Sequence, residues 1–420
     1  MTMTYKSEFL QVLHERGFIH QMTDAAALDA ALCKTRLTGY CGFDATADSL
    51  HVGNLVAITL LRWFQKTGHR PITLMGGGTS KVGDPSGRDE TRRLLTDEDL
   101  ARNKAGILKN FQQFIDFDNG RNSSGRTAAL MVDNDDWLSK LNYIDFLREV
   151  GVHYSVNRML AMDSVKLRLD REQNLSFIEF NYMLMQGYDF VELREKYDCT
   201  LQMSGADQWG NIISGVELGR RMKGMELFGL TAPLITKADG SKMGKSVSGA
   251  VWLSADRLSP YDYYQFWRNT ADADVAKMLA TFTEIPMDEV RRLSALGGAE
   301  INEAKKVLAF EATKLCHGEA AAITAAETAR MTFESGALGE DLPTLTIGFK
   351  TTIAEMLVMS GFATSKGEAK RLIAGGGVRV NDKKVLDENE TLNPATAMDG
   401  GVKLSVGKKK HASIIWSTEE

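Results

Sequence analysis

Residues Leu37 to Phe43 form a short apolar run. It passes through a turn of small and acidic residues, Asp44-Ala45-Thr46-Ala47-Asp48-Ser49, into His51-Val52-Gly53-Asn54. A helical pattern follows, with Leu55, Ile58, Leu61 and Trp63 at rough helical spacing up to Gly68. A short apolar run of this kind reads as a buried strand, and the pattern after it as a helix. His51 and Gly53 therefore sit where a strand hands over to a helix N-terminus. Free backbone N–H groups and the helix dipole favour an anion there, typically phosphate. Gly53 carries no side chain, so a phosphate or a flat ligand can approach the backbone. His51 and Asn54 can donate hydrogen bonds to phosphoryl oxygens. On its own, His-x-Gly reads equally as a strand–helix connection with a capping histidine.

The same alternation continues. Pro71 to Met75 reads as a second strand, followed by Gly76-Gly77-Gly78-Thr79 and by the turn-forming Lys81-Val82-Gly83-Asp84-Pro85-Ser86-Gly87-Arg88. Arg93 to Phe117 is helical in pattern, Asp118 to Arg126 a loop, and Ala128 to Val132 a strand with Asn134 and Trp137 just beyond it. A helical stretch rich in Met and Arg runs from Tyr143 to about Asp170. Cys199 to Met203 reads as another strand, followed by Ser204-Gly205-Ala206-Asp207-Gln208 and a helix opening at Ile212. Strands alternating with helices predict an α/β, doubly wound parallel sheet whose ligands bind beyond the carboxyl ends of the strands.

Two further stretches carry chemistry. Tyr182, Gln186 and Asp189 are spaced i, i+4, i+7, which puts them on one face of a helix. Periodicity alone reads this as an ordinary solvated stripe, but it holds no lysine, glutamate or arginine, which commonly populate such faces. Lys237-Ala238-Asp239-Gly240-Ser241-Lys242-Met243-Gly244-Lys245-Ser246 follows the strand-like Leu234-Ile235-Thr236. Two lysines three apart among small residues suit a loop that closes on a polyphosphate, although it is not a Walker loop. A solvated surface turn is the plainer reading of this loop alone.

The 420 residues suggest about three domains. Apolar content of 43% and charged content of 25% are ordinary for a globular chain with ample core. No run approaches the length of a membrane span, and the amphipathic N-terminus, Met1 to Gly17, lacks the features of a secretory signal. Cys33, Cys41, Cys199 and Cys316 include no Cys-x-x-Cys pair, so neither a zinc site nor a disulfide framework is expected, and a reducing cytoplasm fits best. The net charge of −5 excludes a globally basic nucleic-acid binder, so any RNA contact must be local. Beyond the lysine loop, Ser259-Pro260 opens a run of helical patterns to about Phe333. From Lys350 onward, eleven basic residues face nine acidic ones, against an acidic remainder.

Taken together, the His51-Val52-Gly53-Asn54 and Lys242-Met243-Gly244-Lys245-Ser246 stretches resemble the His-Ile-Gly-His and Lys-Met-Ser-Lys-Ser signatures of class I aminoacyl-tRNA synthetases. Tyr40-Cys41-Gly42-Phe43-Asp44, with Thr46 to His51 after it, is similar to tyrosyl-tRNA synthetases of the bacterial type. The resemblance runs over nearly the whole chain. It implies a Rossmann-like catalytic domain with a helical insertion over residues 1–247 and a helical anticodon-recognition domain over 248–333. A linker over 334–350 and a small α+β RNA-binding domain over 351–420 would follow. The last of these resembles the module shared with the fourth protein of the small ribosomal subunit, through Ser365 to Ile373 and the glycine-rich stretch to Lys384. Lys366, Lys370, Arg371, Arg379, Lys383 and Lys384 are its implied RNA contacts.

The implied reaction ligates L-tyrosine to tRNA(Tyr) through tyrosyl-adenylate, with ATP and Mg2+ and with no organic cofactor or structural metal. Tyr182, Gln186 and Asp84 would bind the α-amino group. Asp189 and Tyr40 would bracket the phenol oxygen. Gln208 would lie near the reacting carboxylate, and Asn134 near the pocket. Cys41, Gly42, Asp44, Gly53, Gly205 and Asp207 would line the ATP site. Asp207 also reads as a plain helix N-cap. His51, Asn54, Arg88, Arg92, Lys242 and Lys245 would supply donors to the phosphates. A homodimer is also implied, with Phe177 where the family has an interface aromatic; a core phenylalanine is an equally good reading. Two departures stand out: Asn54 replaces the second histidine of the first signature, and Gly244 a serine of the second. A tryptophan-specific enzyme, an RNA-binding regulator and a nucleotidyltransferase on another small acid are the alternatives.

Overall fold

The computed structural model describes residues 4–84, 95–117, 127–236, 243, 245–246, 249–331, 342, 344–348, 351–392, 401–407 and 410–416. The chain divides into two compact units. One comprises Met1–Gly244, Trp252–Ser254 and Ala271–Ile301; the other comprises Lys245–Val251, Ala255–Thr270 and Asn302–Glu420.

The first unit is built on a sheet of β1 (Gln21–Met22), β2 (Thr38–Asp44), β3 (Arg70–Gly76), β4 (Leu130–Asp133), β5 (Cys199–Gly205) and β6 (Phe228–Ala232). The order across it is β1-β6-β5-β2-β3-β4. All neighbours pair in parallel except β1, which runs antiparallel at the edge against β6. From β2 the chain winds outward to β3 and β4, then returns to lay β5 on the other side of β2. The carboxyl ends of β2 and β5 thus form the switch point at which such sheets bind ligands. The buried strands fit a parallel sheet covered on both faces. The helix Leu55–Lys66 buries Leu55, Val56, Ile58, Leu60, Leu61, Trp63 and Phe64. Phe64 meets Phe9 edge to face at 5.0 Å.

Several expectations need correction. The strand beyond the 209–223 helix is Phe228–Ala232, upstream of the expected Leu234-Ile235-Thr236. Gly229 lies in it because a Cβ there would sit 2.3 Å from Ile212 Cγ2, so this close helix–sheet packing excludes a side chain. The helix expected at Ile212 begins at Trp209, after a 3-10 turn Ala206–Gln208. Its N-cap is Gln208, with no side-chain cap, so Asp207 is not a helix cap. The helical stretch from Tyr143 to Asp170 is broken into Tyr143–Glu149, Val156–Leu160 and Asp163–Asp170. Phe177 is 70% exposed, which removes the core reading.

In the second unit, Ser259 caps the helix Pro260–Arg268, which has proline at its first turn. Tyr263 of that helix meets His317, at the end of helix Ile301–His317, edge on at 5.0 Å. A hairpin joins β7 (Lys245–Ser246) to β8 (Gly249–Ala250). The last part is a five-stranded sheet of β9 (Thr344–Ile347), β10 (Val378–Val380), β11 (Lys383–Lys384), β12 (Val402–Val406) and β13 (Lys410–Trp416), ordered β11-β10-β12-β13-β9. Helices Ile353–Met359 and Lys366–Ala374 complete its apolar core with Ile353, Leu357, Ile373, Val378, Leu404 and Ile414. β9 falls within the segment expected as a linker. Residues 271–301, within the segment expected as the helical domain, pack with the first unit. There Arg62 and Lys66 both pair with Glu284, and Arg16 donates to the carbonyls of Ala280, Thr283 and Ile285.

Candidate active site

Among the described residues, the chemistry-bearing side chains of the first unit that the sequence singled out lie on β2 or beyond the carboxyl end of β2–β5, or on the helix Tyr182–Tyr197 that feeds β5. Asp189, on that helix, is 2% exposed. Its Oδ1 accepts from the Trp137 indole Nε1 at 2.8 Å, and its Oδ2 from Asn134 Nδ2 at 2.9 Å. Burial pushes the Asp189 carboxyl from 3.8 to about 7; the two donors pull it down, and the Glu192 and Asp44 charges push it further up. Asn134 is itself fixed, because its Oδ1 accepts from the Gly78 N–H at 2.8 Å. Trp137 was noted in the sequence only for its place after β4. An indole four positions past an acidic strand end was the available signal.

Tyr40 sits on β2 and is 1% exposed, and its hydroxyl has no hydrogen-bond partner. Phe190 meets its ring edge on at 5.3 Å. Burial, followed by the nearby Asp189 charge, holds the Tyr40 phenol well above its ordinary value, so it stays a neutral donor. Gln186, one turn before Asp189, also buries an unpartnered Oε1. Leaving such groups unpaired is costly, and a ligand that pairs with them recovers that cost. A neutral hydroxyl donor and a carboxylate acceptor together suit a ligand hydroxyl, which can accept from the one and donate to the other. Tyr182 is buried on the same helix.

Beyond β3 and β5 a second network forms. Gln208 Nε2 donates to Asp84 Oδ2 at 2.8 Å, and Asn211 Nδ2 donates to Gln208 Oε1 at 3.0 Å. Asp44, at the end of β2, accepts from the Thr79 hydroxyl at 3.5 Å. Gly205 lies beside Asp207: a Cβ there would come 2.9 Å from the Asp207 Oδ1. A Cβ at Gly42 would meet nothing within 4 Å, so the floor beside β2 is open. Cys41, beside it on β2, is buried, with its thiol donating to the Ala57 carbonyl at 3.6 Å.

His51 caps the short 3-10 helix Val52–Asn54. The Gly53 N–H donates to His51 Nδ1 at 3.0 Å, and the His51 N–H donates to Asn54 Oδ1 at 3.1 Å. That bond leaves the proton of a neutral imidazole on Nε2, as a donor. A Cβ at Gly53 would sit 2.7 Å from His51 Cε1 and 3.5 Å from the Met243 carbonyl. Gly53 therefore allows both the folded imidazole and the approach of the lysine-loop backbone. The segment after that loop is stitched to the same place: Leu253 N–H donates to the Leu50 carbonyl at 2.9 Å, and the Trp252 ring meets His51 at 6.1 Å. Arg88, Arg92 and Lys242 lie outside the described residues, as does the Lys245 side chain. In the second unit, the six cationic residues singled out are all exposed. Lys366 pairs with Glu355 and Lys370 with Glu388, and Arg379 donates to the Asp382 carbonyl. Among the described residues, no cluster of three or more His, Cys, Asp or Glu could hold a metal ion, and no helix is long and apolar enough to cross a membrane.

Comparison with known proteins bears on this geometry. Residues 33–334 match the family of class I tRNA synthetases for tryptophan and tyrosine, and residues 333–414 match the C-terminal domain of tyrosine–tRNA ligases. The tyrosine–tRNA ligase of Rhodospirillum rubrum is 59% identical over 97% of this chain and 98% of its own. That of Rhodopseudomonas palustris is 57% identical over 98% and 99%. The structure of a C-terminally truncated mitochondrial tyrosyl-tRNA synthetase of Aspergillus nidulans superposes with a TM-score of 0.69 at 30% identity, over 78% of this chain and 94% of that one. A tyrosyl-tRNA synthetase of Archaeoglobus fulgidus, at 16% identity and a TM-score of 0.55, shares the fold. With identity of this order over nearly the full length, the chain belongs to the tyrosyl-tRNA synthetase family of class I aminoacyl-tRNA synthetases.

Proposed function

We propose that the protein ligates L-tyrosine to tRNA(Tyr) at the expense of ATP, in two steps. The tyrosine carboxylate attacks the α-phosphorus of ATP, forming tyrosyl-adenylate and releasing pyrophosphate. A ribose hydroxyl at the 3′ end of the tRNA then displaces AMP. The first nucleophile is already an anion, so activation needs no protein base. Positioning and stabilisation of phosphoryl charge carry the rate.

The observation that carries the reading is the buried, unpartnered Tyr40 hydroxyl beside the clamped Asp189 carboxylate. The phenol donates to Asp189 and accepts from Tyr40. Phenylalanine leaves the Tyr40 hydroxyl buried and unpaired and offers the buried Asp189 no donor of its own, which rejects it without an editing site. Asp84, Tyr182 and Gln186 take the α-ammonium, and Gln208 the carboxylate. The open floor at Gly42, with Cys41, Asp44, Gly53, Gly205 and Asp207, holds the adenosine. His51 Nε2 and Asn54, with Arg88, Arg92, Lys242 and Lys245, face the phosphates, and ATP enters as its magnesium complex. We assign residues 1–247 to catalysis, 248–333 to the anticodon and 351–420 to further RNA contact. Lys366, Lys370, Arg371, Arg379, Lys383 and Lys384 act on phosphates there, and residues 334–350 serve as the linker. The enzyme works in the cytoplasm as a homodimer. Exposed apolar side chains of one insertion, among them Tyr143, Ile144, Val152, Phe177 and Ile178, support the dimer.

The test is amino-acid-dependent exchange of labelled pyrophosphate into ATP without tRNA. Exchange with tyrosine alone supports the reading. Exchange with tryptophan instead overturns the pocket, and none with any amino acid overturns the activation chemistry.

A further inference from the structure

We infer that Asn211 is a positioning residue for the activation step, which acts by fixing which end of the Gln208 amide faces Asp84; this rests on the tyrosine-activation reading of the site. Gln208 has one acceptor end and one donor end. Asn211 Nδ2 occupies the acceptor, Oε1, at 3.0 Å. The donor end then turns to Asp84, which Nε2 reaches at 2.8 Å. Asp84 can only accept when ionised, so the three side chains form a run of donors in one direction: Asn211 to Gln208 to Asp84.

The local structure makes this run rigid. Gln208 is the N-cap of the helix Trp209–Lys223, and Asn211 stands three residues on, in its first turn. Asn211 is only 5% exposed, so its amide has little freedom to turn elsewhere. Hydrogen bonds aligned head to tail polarise one another, so Gln208 is the stronger donor for having Asn211 behind it.

The chemical consequence lies where negative charge collects. Asp84 lies on the side of Gln208 that carries its N–H groups, and the activation reading puts the substrate carboxylate, a second anion, on that side too. A flipped Gln208 would turn oxygen lone pairs on both. During activation the carboxylate oxygen forms its bond to phosphorus while the bond to the pyrophosphate oxygen breaks, and that oxygen leaves with the electron pair. No proton moves through Asn211 or Gln208; their contribution is orientation alone.

The experiment is a double-mutant cycle on the full chain, read by single-turnover formation of adenylate with magnesium-ATP saturating and tyrosine varied. Asn211→Leu, close in volume but without a donor, is made alone and with Gln208→Ala. The expected loss in activation rate over tyrosine dissociation constant is about tenfold alone, and less than about twofold in the Gln208→Ala background. Asn211→Asp, which can only accept when ionised, is expected to lose more than Asn211→Leu although its shape is closer to asparagine. Equal losses in the two backgrounds, or an unchanged Asn211→Leu enzyme, overturn the inference. If thermal unfolding shows that Asn211→Leu does not fold, Asn211→Asp carries the same cycle. Tyrosine-dependent pyrophosphate exchange by the unmodified protein is measured first. Its absence sinks the activation reading itself, whereas its presence with an additive cycle sinks only the role of Asn211.

Discussion

The Trp137 indole N–H donates to Asp189 Oδ1 at 2.8 Å inside the apolar layer between the sheet and the 182–197 helix, so a carboxylate is held ready where water cannot solvate it. Burial still wins over the donors, and the carboxyl is lifted to about 7. Between its ordinary 3.8 and about 7, the folded protein binds a proton that the unfolded chain has released. The contribution of this group to stability therefore falls as pH rises through that window and is flat above it. Asp189→Asn removes the titration. Thermal unfolding of that variant, without ligand, should decline less than that of the unmodified protein between about pH 5 and about pH 8. Parallel curves would contradict the buried, proton-binding carboxyl.

Tyrosine reverses the sign at the same group. A phenol that donates to Asp189 favours the ionised form. Tyrosine affinity should therefore rise with pH through about 7, while phenylalanine binding shows no such rise. Asp189→Asn should weaken tyrosine by about 10- to 100-fold, the worth of a charge-assisted hydrogen bond. Isothermal titration at several pH values reads both effects, and a pH-independent tyrosine affinity would count against the pocket.

Gly53→Ala tests the first signature. The added Cβ would meet the His51 ring at 2.7 Å, so the imidazole must leave its place over the Gly53 N–H. Loss of a phosphate-facing donor predicts a fall of about 10²–10³ in adenylate formation. Tyrosine affinity should hold, because Tyr40 and Asp189 are untouched. Stopped-flow measurement of the activation step distinguishes this from a general loss of fold, in which affinity would drop as well.

Much of this site was legible because the chain advertises it locally. The strand-to-helix passage at His51 and the stripe of Tyr182, Gln186 and Asp189, free of lysine, glutamate and arginine, are patterns of period and composition, and the structure keeps both. What was not legible depends on distant neighbours. Phe-Gly-Leu-Thr-Ala does not look like a strand until Ile212 is packed onto Gly229. Trp137 is an unremarked aromatic until Asp189, 52 positions away, turns to its N–H. The long pattern from Tyr143 breaks into short helices whose Ile144, Val152 and Val156 side chains stay exposed, and periodicity alone cannot tell an uncovered apolar face from a core.

That uncovered face makes the dimer testable. Phe177 and Val152 are each about 70% exposed, far beyond the scattered apolar exposure of a monomer surface. Phe177→Glu should shift the protein from dimer to monomer in sedimentation equilibrium while its thermal unfolding onset stays close to that of the parent. A monomeric parent at micromolar concentration would remove the second copy as the partner of this face.

The same face is held from beneath by a buried ion pair. Arg168 and Glu179 lie 3.1 Å apart with side chains 4% and 8% exposed. Arg168 also donates to the Asn174 carbonyl, and Glu179 accepts from the Ser176 N–H and hydroxyl. Burial alone would lift the Glu179 carboxyl; the Ser176 donors and the Arg168 guanidinium pull it below its ordinary value, so the pair stays charged. Removing one member leaves an uncompensated buried charge, so Glu179→Ala should cost about 3–5 kcal/mol in urea unfolding. Replacing both, as Arg168→Met with Glu179→Leu, should recover most of that loss, because an apolar pair needs no desolvation of charge. The two outcomes separate stability from positioning. If the double variant regains stability but not the dimer, the ion pair serves to aim Phe177 and Ile178. If it regains both, apolar packing beneath the face is sufficient.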